Sequence, residues 1–194
     1  ACAELRDFAP ARAVSYRDAM RDCSGIDCAT ASVAEIRAAL ASHGIEPVSY
    51  DGWERDEWLD LLMGAVVGPR LGHDAPVFVH DYPASQAALA RLRELPDGSK
   101  VAERFELYVD GLELANGFRE LGDASEQRRR FEQDQATRQR RGQGVRPLDE
   151  RLLAALDAGL PDCAGVALGF DRLVMACHRL GDLGSAMAFP ESRA

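Results

Sequence analysis

Polar and hydrophobic residues alternate along FELYVDGLELANGFRE, which covers residues 105–120. Two runs with the two-residue period of a β-strand flank Asp110-Gly111, a dipeptide that suits the positive φ angles of a type I′ hairpin turn. The pattern therefore predicts a β-hairpin over residues 105–118. The residue pairs that we expect across it are Val109 with Leu112, Tyr108 with Glu113, Leu107 with Leu114 and Glu106 with Ala115.

One face of this predicted hairpin is apolar and the other carries two acids. Glu106 and Glu113 lie on a diagonal of the polar face, where backbone positions are roughly 7–8 Å apart and side-chain tips come closer. Two carboxylates so placed can share a divalent metal ion. Taken alone, the same two acids also suit a plain solvent-exposed strand, so the pattern leaves both interpretations open.

The chain before the hairpin is mostly helical in its spacing. Serine caps and stripes of apolar residues predict three helices, which together form a helical module over residues 15–67, after a loose segment at 1–14. A strand is expected at 76–80, followed by a helical turn or short helix at 85–92. The three predicted helices cover residues 15–24, 32–40 and 56–67.

The chain after the hairpin begins with a long helix over 123–141 that contains six arginines among acidic residues. Such a helix is either a solvated surface with paired charges or a basic docking face for an acidic partner. A helix over 148–158 and a buried strand over 163–169 follow. The strand leads through Gly169 into a helix over 171–180 with Arg172 in its first turn, a pattern that suits an anionic nucleotide but that packing also explains.

Composition narrows the possible functions. With 46% hydrophobic residues the chain can form a packed core, and its net charge of -9 argues against nucleic-acid binding by bulk electrostatics. No stretch of 18 apolar residues is present, so we expect no membrane span. The five cysteines form no CxxC motif and the four histidines show no metal-ligand spacing. These features favour a cytoplasmic protein.

The stretches FELYVDGLELANGF and GVALGFDRLVM resemble the catalytic domain of class II aminoacyl-tRNA synthetases, lysyl branch, with the second similar to their motif 3. Within that branch the chain looks like the elongation factor P lysine ligases, through YPASQAALA, VAERFELY and PDCAGVALGFDRLVM. The resemblance covers roughly residues 15–194. It implies an α+β fold, in which an antiparallel sheet over residues 76–194 is flanked by helices and the 15–67 module is an insertion.

The resemblance also implies a function and its cofactors. These ligases use ATP and Mg²⁺ to activate lysine or β-lysine as an adenylate, and then attach it to a lysine of elongation factor P. Glu106 and Glu113 match the acids that hold magnesium and ATP, and Glu113 also lies near the substrate amine. Leu107 and Gly169 match positions beside the nucleotide. Arg172 matches the arginine at the γ-phosphate.

Further residues match the amino-acid pocket of the lysyl enzymes, namely Asn116, Phe118 and Glu120. Strict alternation would place Asn116 on the apolar face, away from Glu113. We therefore predict a β-bulge near residues 115–117, which Gly117 would permit. Ala167 stands where lysyl-tRNA synthetases usually carry glycine, and we expect its methyl group to reshape the pocket against α-lysine.

Motifs 1 and 2 of the class II domain are not found in residues 1–67. We therefore expect that residues 1–194 are the C-terminal portion of one catalytic domain, that its parent is a homodimer, and that adenylation by this chain alone is strongly impaired. Two other functions stay open, namely a lysyl-tRNA synthetase remnant and a non-catalytic module that binds an amino acid or nucleotide. The acidic charge weighs against tRNA as a partner.

Overall fold

A computed structural model describes residues 8–46 and 52–191 of the chain. The strands within this part are Arg12–Ser15 (β1), Val77–Pro83 (β2), Leu92–Glu94 (β3), Lys100–Val109 (β4), Leu112–Arg119 (β5) and Ala164–Leu168 (β6). The α-helices are Tyr16–Ser24 (α1), Val33–Ser42 (α2), Arg55–Leu62 (α3), Ala124–Arg140 (α4), Glu150–Asp157 (α5) and Phe170–His178 (α6). A π-helical turn and a 3₁₀ turn extend α3, and two further 3₁₀ turns occur, over Met63–Val67, Gly68–Arg70, Ala84–Gln86 and Leu183–Ser185.

All six strands belong to one sheet. Its order is β1-β2-β4-β5-β6, and β3 pairs with the first residues of β4 on the edge opposite β2. Every pair is antiparallel except β1 and β2, which run parallel. The predicted α+β fold is confirmed, because helices flank a sheet that is antiparallel in all but one pair. The short strands β1 and β3 were not anticipated from the sequence.

The β4-β5 hairpin turns at Asp110-Gly111 as predicted. Both residues have positive φ, 48° and 76°. The loop that follows α3 fixes this turn, because the Asp110 N–H donates to the Gly72 carbonyl at 2.9 Å and the Gly111 N–H donates to the Leu71 carbonyl at 2.8 Å. A side chain at Gly72 would meet the Tyr108 carbonyl at 2.6 Å, so glycine permits this close approach.

The register of the hairpin departs from the prediction after two pairs. Val109 faces Leu112 and Tyr108 faces Glu113, but Leu107 faces Ala115. Leu114 is therefore an extra residue without a partner on β4, which defines a β-bulge. The predicted pairs of Leu107 with Leu114 and of Glu106 with Ala115 are wrong, because the bulge lies one residue nearer the turn than expected.

The helical module forms most of the core against one face of the sheet. Its helices α1, α2 and α3 bury apolar side chains against β2 and β4, chiefly Tyr16, Met20, Ile36, Leu40, Leu59 and Leu62. The predicted serine caps are present: Ser15 accepts from the Asp18 N–H at 3.0 Å, and Ser32 forms a capping box with Glu35. The module's residues 47–51 lie outside the described part.

The opposite face of the hairpin is covered by α6. Val109, Leu114 and Ala176 are buried there together, and Leu107, Leu112 and Leu173 pack around them. The predicted apolar face of the hairpin is thereby confirmed for these residues. The sheet consequently separates two cores, and the polar hairpin face points toward the helical module.

Helix α4 is bound to its neighbours by its arginines. Arg128 pairs with Glu150 through Nη2 at 2.6 Å, and Arg141, just after the helix, pairs with Glu57 of α3. The half-buried Arg130 donates to the carbonyls of Ala88 and Ala90 at 2.9 and 2.8 Å. These pairs favour the solvated helix with paired charges over a basic docking face.

Strand β6 is not the buried strand that its composition predicts. It is the last strand in the sheet order, and the described residues place no strand on its outer side. Val166 and Leu168 are 62% and 47% exposed, and Phe170 just beyond them is 70% exposed. Small and apolar residues indicate a sheet strand, but its place at the edge leaves them uncovered.

Replacing Gly117 with alanine should destabilise the sheet. A Cβ there would lie 2.6 Å from the Gly165 carbonyl and 2.7 Å from the Phe105 ring, so the neighbouring backbone and this ring would have to move. We expect a loss of about 1–3 kcal/mol in the free energy of unfolding, measured by urea denaturation. Gly64→Ala is the matched control, because no atom lies within 4 Å of that Cβ position. Equal stabilities of the two variants would contradict the close β5-β6 packing.

Candidate functional site

The bulge at Leu114 places Asn116 opposite Glu106. Paired residues of an antiparallel ladder share a face, so Asn116 joins the polar face that also carries Glu106, Tyr108 and Glu113. The Asn116 Nδ2 atom lies 3.4 Å from Oε1 of Glu106. The predicted bulge is thus present, two residues before Asn116, and the polar face gains an amide beside its acids.

Glu106 is a buried carboxylate with both oxygens in use. Its side chain is 8% exposed. Arg104 Nη2 lies 2.6 Å from Oε1, and the Tyr108 hydroxyl donates to Oε2 at 2.7 Å. Such charge-assisted hydrogen bonds hold the carboxylate in one orientation. The interpretation of Glu106 as a simple exposed strand acid does not fit this burial.

Glu113 differs from Glu106, because no side chain in the described part donates to its carboxylate. Burial raises the pKa of Glu113 above its ordinary value of 4.5, and the negative charge of Glu106 raises it further. The charges of Arg172 and Arg104 act in the opposite direction. A half-buried carboxylate with a like charge beside it is a favourable place for a cation.

The start of α6 is attached to the bulge through two backbone carbonyls. The Gly169 N–H donates to the Leu114 carbonyl at 2.8 Å, and Arg172 Nη1 donates to the Glu113 carbonyl at 2.9 Å. The stem of Arg172 passes 3.5 Å from the position of a Cβ on Gly169. Among the residues that the structure describes, no side chain caps the first turn of α6, so its N–H groups stay available to an anion.

A cavity of about 410 Å³ lies between the bulge, β6 and the start of α6. Five of the residues singled out from the sequence line it, namely Glu113, Asn116, Ala167, Gly169 and Arg172. Asn116 faces Ala167 directly across the β5-β6 ladder. A carboxylate, an amide and a guanidinium therefore converge on one opening, a donor set that can hold an ammonium, a carboxylate and a phosphate.

The other predicted site residues lie outside that cavity. The side chain of Leu107 packs with Val109 and Leu114 on the α6 face, so its predicted role beside the nucleotide is limited to its backbone. Phe118 packs against the core of the helical module. Glu120 follows β5 and lines a second cavity of about 770 Å³, with its carboxylate over the bare Cα of Gly165.

Glu106 and Glu113 offer the oxygen ligands that magnesium prefers, but they do not form a complete set of ligands for it. Within residues 8–46 and 52–191 no three His, Cys, Asp or Glu side chains are placed to hold a metal ion. Magnesium commonly takes only one or two protein carboxylates and completes its shell with phosphate oxygens and water. Glu113 is the freer ligand, and Glu106 would contribute lone pairs that Arg104 and Tyr108 leave open.

Arg104, which binds Glu106, was not among the residues singled out from the sequence. A signal was available, because Arg104 precedes Glu106 by two residues and so shares its face of β4. Tyr108, the predicted partner of Glu113 across the hairpin, is a buried hydrogen-bond donor to Glu106. The four cysteines of the described part are unpaired.

Comparison with known proteins assigns the family. The family model described as tRNA synthetases class II (D, K and N) matches residues 4–193. The chain belongs to this family.

Its helices in the described part are all too short or too polar to cross a membrane.

Several curated relatives share the family and are named elongation factor P–(R)-β-lysine ligase. The protein from Klebsiella pneumoniae subsp. pneumoniae is 46% identical over 191 residues, which is 98% of this chain and 58% of the relative. The protein from Vibrio parahaemolyticus serotype O3:K6 is 44% identical over 180 residues, 93% of this chain and 55% of the relative. This class II synthetase-like chain thus spans somewhat more than half the length of the relatives that it matches.

Replacing Glu113 with glutamine should stabilise the fold at neutral pH and not at acid pH. In the unfolded chain Glu113 titrates near 4.5, and in the fold at a higher pH. Ionisation of the Glu113 carboxyl therefore lowers the free energy of unfolding as the pH rises above 4.5. Below that pH the carboxyl is neutral in both the folded and the unfolded chain, so it has no such effect. The melting temperature of Glu113→Gln relative to wild type should rise between pH 4 and pH 8.

The matched control is Glu94→Gln, an exposed acid on β3. Its melting temperature relative to wild type should vary less with pH. A flat difference for Glu113→Gln would mean that neither burial nor the charge of Glu106 raises the pKa of Glu113 in the fold.

Proposed function

We propose that this chain forms the ATP- and amino-acid-binding part of a ligase that activates lysine or β-lysine and transfers it to a lysine of elongation factor P. The proposal is supported chiefly by the cavity in which Glu113, Asn116, Ala167, Gly169 and Arg172 meet. It is supported further by relatives at 44–46% identity that are named elongation factor P–(R)-β-lysine ligase. Because the chain spans 58% of those relatives, the whole reaction is proposed for the protein to which this site belongs.

The residues of the site then take distinct roles. Arg172, fixed by its bond to the Glu113 carbonyl, keeps further guanidinium donors for the γ-phosphate. The open N–H groups at the start of α6 add to this positive field. Glu106 and Glu113 would hold magnesium, which supplies neutralisation of the phosphate charge when bound. Gly169 leaves room beside the backbone for the nucleotide.

The amino acid is proposed to lie along β5. Asn116 offers an amide to its carboxylate, and Glu113 offers a negative charge to an amine. Phe118 and Glu120 extend the same face toward the far end of the strand, because residues 116, 118 and 120 alternate onto one side. Glu120 would then receive the distal amine, with Gly165 leaving space for its carboxylate.

The proposed chemistry has two steps. The carboxylate of the amino acid attacks the α-phosphate of ATP, so that an aminoacyl-adenylate forms and pyrophosphate leaves. The ε-amine of the acceptor lysine then attacks the carbonyl, and AMP leaves. The protein contributes by orienting both reactants and stabilising the charge on the leaving pyrophosphate, mainly through Arg172. No covalent enzyme intermediate is required.

Removing Arg172 tests the nucleotide part of the proposal. Titration calorimetry with magnesium and ATP should detect binding by the 194-residue chain, and Arg172→Ala should weaken it by roughly 10²-fold or more, as for loss of a charged donor. Arg151→Ala, an exposed arginine on α5, is the control and should bind like wild type. Equal binding by both variants would remove Arg172 from the site.

A second assay separates the proposed function from its alternatives. Intact-mass measurement should show lysyl or β-lysyl addition to elongation factor P, and a parallel assay should show no charging of tRNA. Charging of tRNA would favour a lysyl-tRNA synthetase remnant, and nucleotide or lysine binding without pyrophosphate exchange would favour a non-catalytic module. Exchange by the 194-residue chain itself would overturn the expectation that motif 2 is needed for adenylation.

Replacing Ala167 with glycine tests the choice of substrate. Ala167 faces Asn116 on the neighbouring strand and lines the cavity. Removal of its methyl group should raise activation of α-lysine relative to β-lysine, by roughly tenfold or more for a change of one methyl in a pocket. The ratio of pyrophosphate-exchange rates with the two amino acids, in the complete enzyme, is the measurement. An unchanged ratio would remove Ala167 from substrate selection.

A further inference from the structure

Arg104 makes three different contacts from one half-buried position on β4. Its Nη2 atom lies 2.6 Å from Oε1 of Glu106, and its Nη1 donates to the Gln86 carbonyl at 3.1 Å. The carbon at the centre of the guanidinium lies 4.5 Å from the centre of the Tyr82 ring. The arginine side chain is 19% exposed, so all three contacts form largely out of water.

These contacts restrict Glu106 more than an ion pair alone would. The planar guanidinium is held from behind by the ring of Tyr82 and at one edge by the Gln86 carbonyl, so its direction toward Glu106 is set. Tyr108 holds the other carboxylate oxygen at 2.7 Å. The Glu106 carboxylate therefore has one available orientation, in which Oε1 also faces the Asn116 amide at 3.4 Å.

We propose that Arg104 is a positioning residue, which holds the Glu106 carboxylate and the Asn116 amide in the arrangement that the bound ligand meets. Arg104 itself does not line the cavity that contains Glu113, Asn116 and Arg172. It acts through Glu106. Its contacts with Tyr82 and Gln86 attach the site to β2 and to the 3₁₀ turn that follows β2. The ligand that this arrangement serves rests on the proposed function.

A double-mutant cycle on the 194-residue chain tests the proposal, with affinity for magnesium and ATP measured by calorimetry. Arg104→Met should weaken binding roughly tenfold or more, as is typical for residues that orient a ligating group. If Arg104 acts through Glu106, the double variant with Glu106→Gln should bind no more weakly than Glu106→Gln alone. Additive losses would mean that Arg104 contacts the ligand or only supports the fold, and would overturn the proposal.

Arg104→Lys separates orientation from charge. Lysine keeps the positive charge but cannot contact Glu106 and the Gln86 carbonyl with a planar fork. We expect affinity to stay below wild type in this variant. Full recovery would show that charge alone is needed, which contradicts a positioning role. Arg104→Lys also keeps the test decisive if Arg104→Met does not fold.

A measurement without ligand distinguishes failure of this inference from failure of the proposed function. The NMR signals of the Asn116 side-chain amide should shift in Arg104→Met and Arg104→Lys, because Glu106 loses its fixed orientation. Arg93→Met is the matched control. Arg93 lies on β3 and also pairs with a carboxylate at 2.6 Å, that of Asp81, outside the cavity. Unchanged Asn116 signals in a folded Arg104 variant would overturn the inference. Absence of nucleotide binding by wild type would count against the proposed function alone.

Discussion

One extra residue in β5 determines how the site is arranged. Leu114 has no partner on β4, so every residue after it faces a position one step further along that strand. Asn116 is thereby placed beside Glu106. The carbonyl of Leu114 then accepts from the Gly169 N–H, and the carbonyl of Glu113 accepts from Arg172. The bulge thus determines which side chains share the polar face, and it attaches α6, which carries Arg172, to that face.

The two acids of that face are not equivalent. Glu106 is buried and its oxygens accept from Arg104 and Tyr108, whereas Glu113 lies at the cavity with no donor from the described side chains. A buried charge is tolerated when it is paired and hydrogen-bonded, which Glu106 achieves. Glu113 keeps its capacity for an incoming cation. This division fits a site in which Glu106 has a fixed orientation and organises its neighbours, whereas Glu113 is free to adjust to the ligand.

The cavity lies beside the least covered part of the sheet. Val166, Leu168 and Phe170 are exposed along the edge strand and the start of α6. Exposed apolar groups in such number are uncommon on a soluble surface and normally mark a contact region. The cavity is therefore enclosed by packed residues on its hairpin side and exposed along β6. The chain spans 58% of the length of the Klebsiella pneumoniae relative that shares its family.

The sequence alone determined the hairpin, its turn at Asp110-Gly111, its apolar face, the helical module and the succession of a strand, Gly169 and a helix with Arg172. These features follow from local periodicity and turn chemistry. The position of the bulge, the burial of Glu106 by Arg104 and the exposure of β6 were decided by tertiary structure. They depend on which strand lies beside which. They also depend on contacts between residues that are distant in the sequence, such as Leu114 with Gly169. Alternation along a single strand carries no record of those neighbours.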